Sequence, residues 1–222
     1  MADTQVVPWG NSAGGSLGVV PELTDIAELP AGNAFVIAKR GDGTVFGPRD
    51  NSLGQCNIPV GLTSVATIAA GYSHSIALRT DSSVVCAGSN SDGESIVPSI
   101  QGVVGIAAGE NVSLALLSSA TLAAWGYNGN GECNIPIGHT GVSAIAAGGH
   151  HGISLRGKGT VRCWGHNLEG QCAVPTGLRG VVGIAQECSI RRRSRVTEPS
   201  SVGDGMAMGI AMFRQEPLEL EQ

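Results

Sequence analysis

From Val19 to Ala185 the chain is a succession of short runs in which apolar positions recur at every second residue, each bounded by glycine, asparagine or aspartate. Residues 59–98 show the pattern clearly. Val65, Ile68 and Ala70 lie in a first strand that stops at Gly71, and Ser75-Ile76-Ala77-Leu78-Arg79 follow the loop Tyr72-Ser73-His74 as a second. The turn Asp81-Ser82 leads to a third strand, Val84-Val85-Cys86-Ala87, and Asn90-Ser91-Asp92-Gly93 makes the next turn. Period-2 runs separated by turn residues predict an all-β protein. Asp42-Gly43-Thr44-Val45 and Lys158-Gly159-Thr160-Val161 supply the same hairpin turn in other units, the first with the favoured Asp-Gly pair.

The pattern is periodic. Ala-Ala-Gly stands at 69–71, 107–109 and 146–148, while Pro59, Pro98, Pro136 and Pro175 are spaced 39, 38 and 39 residues apart. A fixed period in this range marks an array of supersecondary units. Tiny residues are needed where innermost strands converge on an axis, so a β-propeller is favoured over a straight β-helix, with four strands expected per unit. Trp125-Gly126 and Trp164-Gly165 end the third strand, where Pro48-Arg49 and Ala87-Gly88 deviate; Trp9-Gly10 starts the chain in the middle of a unit. The expected architecture is an incomplete or open propeller of four full units and partial ones over residues 1–185.

Composition narrows the partners. With 34 glycines, 14% charged residues and 4% aromatics, the chain fits many short strands and tight turns rather than disorder. A net charge of −5 gives no global field for nucleic acid or an anionic membrane, and neither partner is expected. The N-terminus lacks a basic region followed by an apolar run, and no apolar stretch is long enough to span a bilayer. A cytoplasmic location is the expectation, with a nuclear one as the alternative. Cys56, Cys133 and Cys172 share one repeat position and Cys86 and Cys163 another, so the cysteines read as small buried residues stacked from unit to unit. Neither a disulfide nor a metal site is expected from them.

Gly71-Tyr72-Ser73-His74-Ser75-Ile76-Ala77-Leu78 and Trp125-Gly126-Tyr127-Asn128-Gly129-Asn130-Gly131-Glu132 resemble the signature of the regulator of chromosome condensation repeat family. The compact unit and the opening Val6-Val7-Pro8-Trp9-Gly10-Asn11 are more similar to its β-lactamase inhibitory protein II branch. The resemblance covers roughly residues 6–185. It implies a seven-bladed propeller, closed by an N-terminal strand that residues 6–10 would supply here. It also implies two functions, inhibitor-like protein binding and guanine-nucleotide exchange on a small GTPase.

After Ile184-Ala185 the expected Ala-Gly is Gln186-Glu187, and the repeat vanishes. Residues 186–222 are expected to form an irregular non-repeat tail in a shifted reading frame. Read one frame over, Met206/Ala207 and Met208/Gly209 must encode glycine, and Met212/Phe213 valine. One unit earlier stand Leu168, Gly170 and Val174; two units earlier stand Gly129, Gly131 and Ile135. One nucleotide lost near codon 185 accounts for this register. The basic run Arg191-Arg192-Arg193-Ser194-Arg195 is therefore discounted as a nuclear or nucleic-acid signal. Apolar residues of such a tail could still form a strand without a designed core.

Candidate chemistry is sparse. His74 and His151 share one repeat position, which favours a structural role bonding nearby backbone over catalysis. Glycine-rich segments lack the Lys-Ser/Thr of a phosphate loop, and no nucleophile–base pattern stands out. What varies between units is more informative. The loop after the small-residue strand reads Asn33-Ala34, Tyr72-Ser73, Glu110-Asn111 and Gly149-His150. Equivalent loops of a propeller share one face, so Asn33, Tyr72, Ser73, Glu110, Asn111 and His150 are the candidate partner-binding residues. The expected function is a non-enzymatic protein-interaction scaffold with no cofactor, metal or small-molecule substrate. The alternatives are an exchange or regulatory domain for a small GTPase, or a truncated product without function.

Overall fold

The runs predicted as strands between Val65 and Ala87 are strands, and their counterparts repeat down the chain. The computed structural model describes residues 25–33, 35–47, 53–57, 62–186 and 210–214. Among these, every regular element is a strand. Unit one contains β1 (Ile26–Glu28), β2 (Ala38–Arg40) and β3 (Val45–Phe46), and unit two β4 (Val65–Ala70), β5 (His74–Arg79) and β6 (Val84–Gly88). Unit three contains β7 (Val103–Ala108), β8 (Val112–Leu117) and β9 (Leu122–Gly126). Unit four contains β10 (Val142–Ala147), β11 (His151–Arg156) and β12 (Thr160–Gly165), followed by β13 (Val181–Gln186) and β14 (Ile210–Arg214). These strands make four three-stranded antiparallel sheets and one two-stranded sheet, the repeated units of an open β-propeller.

Among the described residues each unit has three strands, not the expected four. The segment after the third strand is held as turns by its own side chains. The Oδ1 atoms of Asn90, Asn128 and Asn167 accept the backbone N–H of Ser95, Cys133 and Cys172 at 3.3, 2.9 and 2.8 Å. A local side-chain acceptor of this kind competes with a sheet ladder.

The core lies between sheets. The middle strands β5, β8 and β11 are buried over their first five residues, which explains their near-continuous apolar runs. Ile76 and Leu78 of unit two pack with Val103, Ala115 and Trp125 of unit three, and Val112 and Leu114 pack with Trp164 of unit four. Between units one and two, Phe35 and Ala87 share a cluster. Phe35 stands where other units have His74, Val112 or His151, so a large residue on one side meets the small residue that replaces tryptophan on the other.

Ala-Ala-Gly has the steric origin inferred from the sequence. A Cβ on Gly32 would lie 2.5 Å from the carbonyl oxygen of Gly71, and one on Gly71 would lie 2.5 Å from that of Gly109. One on Gly109 would press closer still on Gly148. The next unit's backbone occupies the space, so only glycine fits.

At the cysteines the structure departs from the sequence reading. Cys163 and Cys172 form a disulfide with a Cα–Cα distance of 5.0 Å. Of the four units, only the fourth carries cysteine at both of these repeat positions. Gly47 faces Cys56 in unit one, with a Cβ built on Gly47 running into the Cys56 Sγ. β14 lies within the expected tail, where the sequence reading allowed for a strand of apolar residues. It pairs with β13 in the register of a second strand, placing Arg214 opposite Val181 as Arg156 lies opposite Val142. The candidate closing strand at residues 6–10, the change at Pro48 and the basic run at residues 191–195 lie outside the described residues.

Candidate functional site

Antiparallel strand order puts the connection from the first to the second strand at one face of every unit, together with the end of the third strand. At that face the backbones of neighbouring units are joined directly. Asn33 donates its N–H to the Tyr72 carbonyl at 3.2 Å, and Tyr72 donates to the carbonyls of Gly109 and Glu110, each at 3.2 Å. Glu110 donates to Gly149 at 3.0 Å. The variable loop residues therefore form a continuous row, with Asn33, Tyr72, Glu110 and the Gly149-His150 step in adjacent units.

The six candidates divide by role. Asn33 is exposed, and Tyr72, Ser73, Glu110, Asn111 and His150 are partly exposed. The carbonyls of Ser73, Asn111 and His150 accept the N–H of Ser89, Tyr127 and His166 at 2.9, 2.8 and 2.8 Å, fixing the loop to the end of the third strand. Asn111 also donates its side-chain amide to Asp92 Oδ2 at 2.9 Å. The side chains that gather around one point are those of Glu110 and His150. His150 Nε2 lies 3.1 Å from Glu110 Oε2, and its Nδ1 lies 4.0 Å from Glu132 Oε1. Tyr127 and His166 present their rings edge-on to His150, at centroid distances of 5.8 and 6.2 Å.

Sequence reasoning missed Tyr127, His166 and Glu132, which come from the end of the third strand and the turn after it. A signal for Glu132 was present. Gln55, Glu94, Glu132 and Gln171 recur at the period of the prolines, and all four are buried. Each accepts the N–H two residues earlier, at Leu53, Asp92, Asn130 and Glu169, with distances of 2.8–3.0 Å. Their amide or carboxylate closes the turn that supports the loop row.

The shared histidine position is structural. His74 is fully buried, and its Nε2 meets the Ser113 hydroxyl of the next unit at 3.0 Å, a side chain rather than the expected backbone group. Burial lowers its pKa to about 4 against the opposing pull of Glu94, so the ring is neutral at pH 7. Burial likewise raises the Cys86 thiol to about 12, which leaves it unreactive. Among the described residues, no three His, Cys, Asp or Glu side chains are grouped to hold a metal ion.

This geometry has known counterparts. Residues 65–94 and 142–171 match the Regulator of chromosome condensation (RCC1) repeat. Units two and four are thus similar in sequence to that repeat. The ectodomain of the receptor kinase CR4 from Physcomitrella patens is 26% identical, with a TM-score of 0.60 over 72% of this chain and 46% of its own. Prp20p from Saccharomyces cerevisiae, described with its binding to Gsp1p and histones, is 23% identical, with a TM-score of 0.56 over 64% of this chain and 45% of its own. Yeast RCC1 (Prp20) bound to Kap60 gives 22% identity and a TM-score of 0.55 over 66% and 44%. The chain spans less than half the length of each of these structures. No curated protein shows significant similarity to it.

Proposed function

We propose that the chain is a protein-interaction module whose contact surface is the loop row, centred on His150. One observation carries the reading. The residues that build the frame recur from unit to unit, whereas the loop residues change, and the changes bring Glu110, Tyr127, His150 and His166 together. Aromatic and imidazole groups beside a half-exposed carboxylate have the chemistry of a protein contact. The module works by binding and not by catalysis. RCC1-repeat propellers that bind proteins, among them Prp20 with Kap60, support this class of function. Within the repeat family, the compact 38–39-residue spacing supports the β-lactamase inhibitory protein II-like branch, because a nucleotide-exchange module would need a projection that this spacing leaves out.

The test is site-specific photocrosslinking in a cell extract. A benzophenone side chain at Asn33 or Asn111 should yield one discrete protein adduct, and the double change Tyr127→Ala, His150→Ala should abolish it. Equal adducts from a probe at Ser143, at the opposite end of its unit, would refute the assignment.

A further inference from the structure

The repeat also exposes a second surface, through a charge inversion in unit four. The turn between second and third strands begins with Asp42, Asp81 and Ser119 in units one to three, and with Lys158 in unit four. In unit two this acid neutralises the arginine that ends the middle strand, with Arg79 and Asp81 3.3 Å apart. The equivalent Arg156 has a lysine beside it instead. One further position changes in the same sense, for the outer strand carries Phe46, Val85 and Ala123 in the earlier units and Arg162 in β12. No acidic residue occurs between Glu132 and Glu169. Among the described residues, none of the three cations is ion-paired to a carboxylate.

The three cations border concave surface. A groove of about 550 Å³ between β12 and the connection Cys172–Val174 is lined by Arg156, Thr160, Arg162, Pro136 and Val174. An adjoining hollow of about 460 Å³ shares Arg156 and Thr160 and adds Lys158 and Gly141. The sheet order β10-β11-β12 leaves β12 as an edge with no hydrogen-bonded strand beside it. The cationic field reaches inward, since His139 has its pKa lowered by burial and then by Arg156 and Arg162.

We propose that this groove binds an extended acidic peptide, laid along the edge of β12 with carboxylates meeting Arg156, Lys158 and Arg162. Edge addition uses the open backbone, and cations without a carboxylate partner supply the sequence preference, Arg156 keeping its Nε–H bond to the Thr140 carbonyl at 2.8 Å. A nucleic acid fits less well, because no aromatic side chain lines the groove to stack a base. The site lies at the end of unit four opposite the loop row and is independent of it.

Fluorescence anisotropy with a labelled peptide of alternating glutamate and threonine, about ten residues long, tests the proposal on the full chain. The peptide should bind and should weaken as salt rises. Lys158→Asp, which restores the residue type of units one and two, and Arg162→Ala should each weaken binding by about tenfold. Lys158→Asp has precedent in the fold at Asp42 and Asp81, and Arg162 is exposed, so circular dichroism should be unchanged for both. The proposal is overturned by absent binding, by undiminished binding in both variants, by equal binding of a lysine–threonine peptide, or by tighter binding of a single-stranded oligonucleotide of matched charge.

Discussion

The indole N–H of Trp125 donates to the backbone carbonyl of Glu94, 2.9 Å away across the boundary between units two and three. Trp164 repeats the bond to Glu132 at 2.8 Å. The Glu94 carbonyl also accepts the Ser113 hydroxyl at 2.9 Å, so a single oxygen ties two residues of the following unit. This oxygen belongs to the turn that the buried Glu94 side chain closes. Turn, tryptophan and middle strand thus form one mechanical joint between neighbours.

Truncating that joint should be expensive. Trp125→Ala is expected to destabilise the protein by about 3–5 kcal/mol, through lost packing and a carbonyl with one partner fewer. Ala87→Gly, at the equivalent position beside Phe35, should cost about 1 kcal/mol or less. Urea unfolding followed by circular dichroism separates the two.

Gly109→Ala tests the crowding at the converging strands. Its Cβ would meet the Gly148 carbonyl, which is backbone and cannot swing away. A loss of about 1–3 kcal/mol is expected, with a lower thermal midpoint. Gly138→Ala, where a Cβ meets nothing within 4 Å but φ is +70°, should lose only the smaller cost of a left-handed alanine.

Acid should weaken the fold through His74. Its pKa is depressed by burial to about 4 from an ordinary 6.5, so protons bind the unfolded chain more tightly. The contribution is fully present above pH 6.5 and is lost progressively between pH 6.5 and 4, amounting to roughly 3 kcal/mol. Burial lowers the pKa values of His139 and His151 too, which adds slope of the same sign. His74→Val copies Val112 of the next unit and should flatten the pH dependence of the urea midpoint over this window.

The facing cysteine positions can be filled elsewhere. Ala124 and Cys133 correspond to Cys163 and Cys172, whose Cα atoms lie 5.0 Å apart, within disulfide range. Ala124→Cys is expected to form a second bridge under oxidising conditions. Although a cysteine has been added, alkylation under denaturing, non-reducing conditions should count one thiol fewer than in the parent chain.

The proposed frame change near codon 185 makes a nucleotide-level prediction. A transcript read across codons 183–188 should contain one base more than this chain encodes. A reading with no extra base would return residues 186–222 to the protein as its own sequence.

The fold was legible because a repeat states its constraint several times. Ala-Ala-Gly and the spaced prolines carried the unit, and the backbone contacts of Gly32, Gly71 and Gly109 supply the cause. The strand count per unit was not legible, because Asn90, Asn128 and Asn167 divert the expected fourth strand through side-chain bonds that composition does not reveal. The disulfide was hidden for a related reason. Residues nine apart along the chain become neighbours only when the turn between them is folded. At the loop row, Glu110 and His150 were visible as variable positions. Tyr127 and His166 reach them from another strand end, and only the register of the sheet brings the two ends together. Net charge, as a sum over the chain, does not show that Arg156, Lys158 and Arg162 fall in a stretch without acids.

The pairing of β13 with β14 decides how this end of the array would respond to force. Val181 and Arg214 form the open mouth of an antiparallel pair. Tension applied between the body of the array and the C-terminus would therefore part the two strands like a zipper. The Arg214–Val181 bridge would carry the whole load first and pass it on to one pair at a time. Rupture would occur in small steps at low force, and the earlier units would still be intact after the last of these bridges had opened.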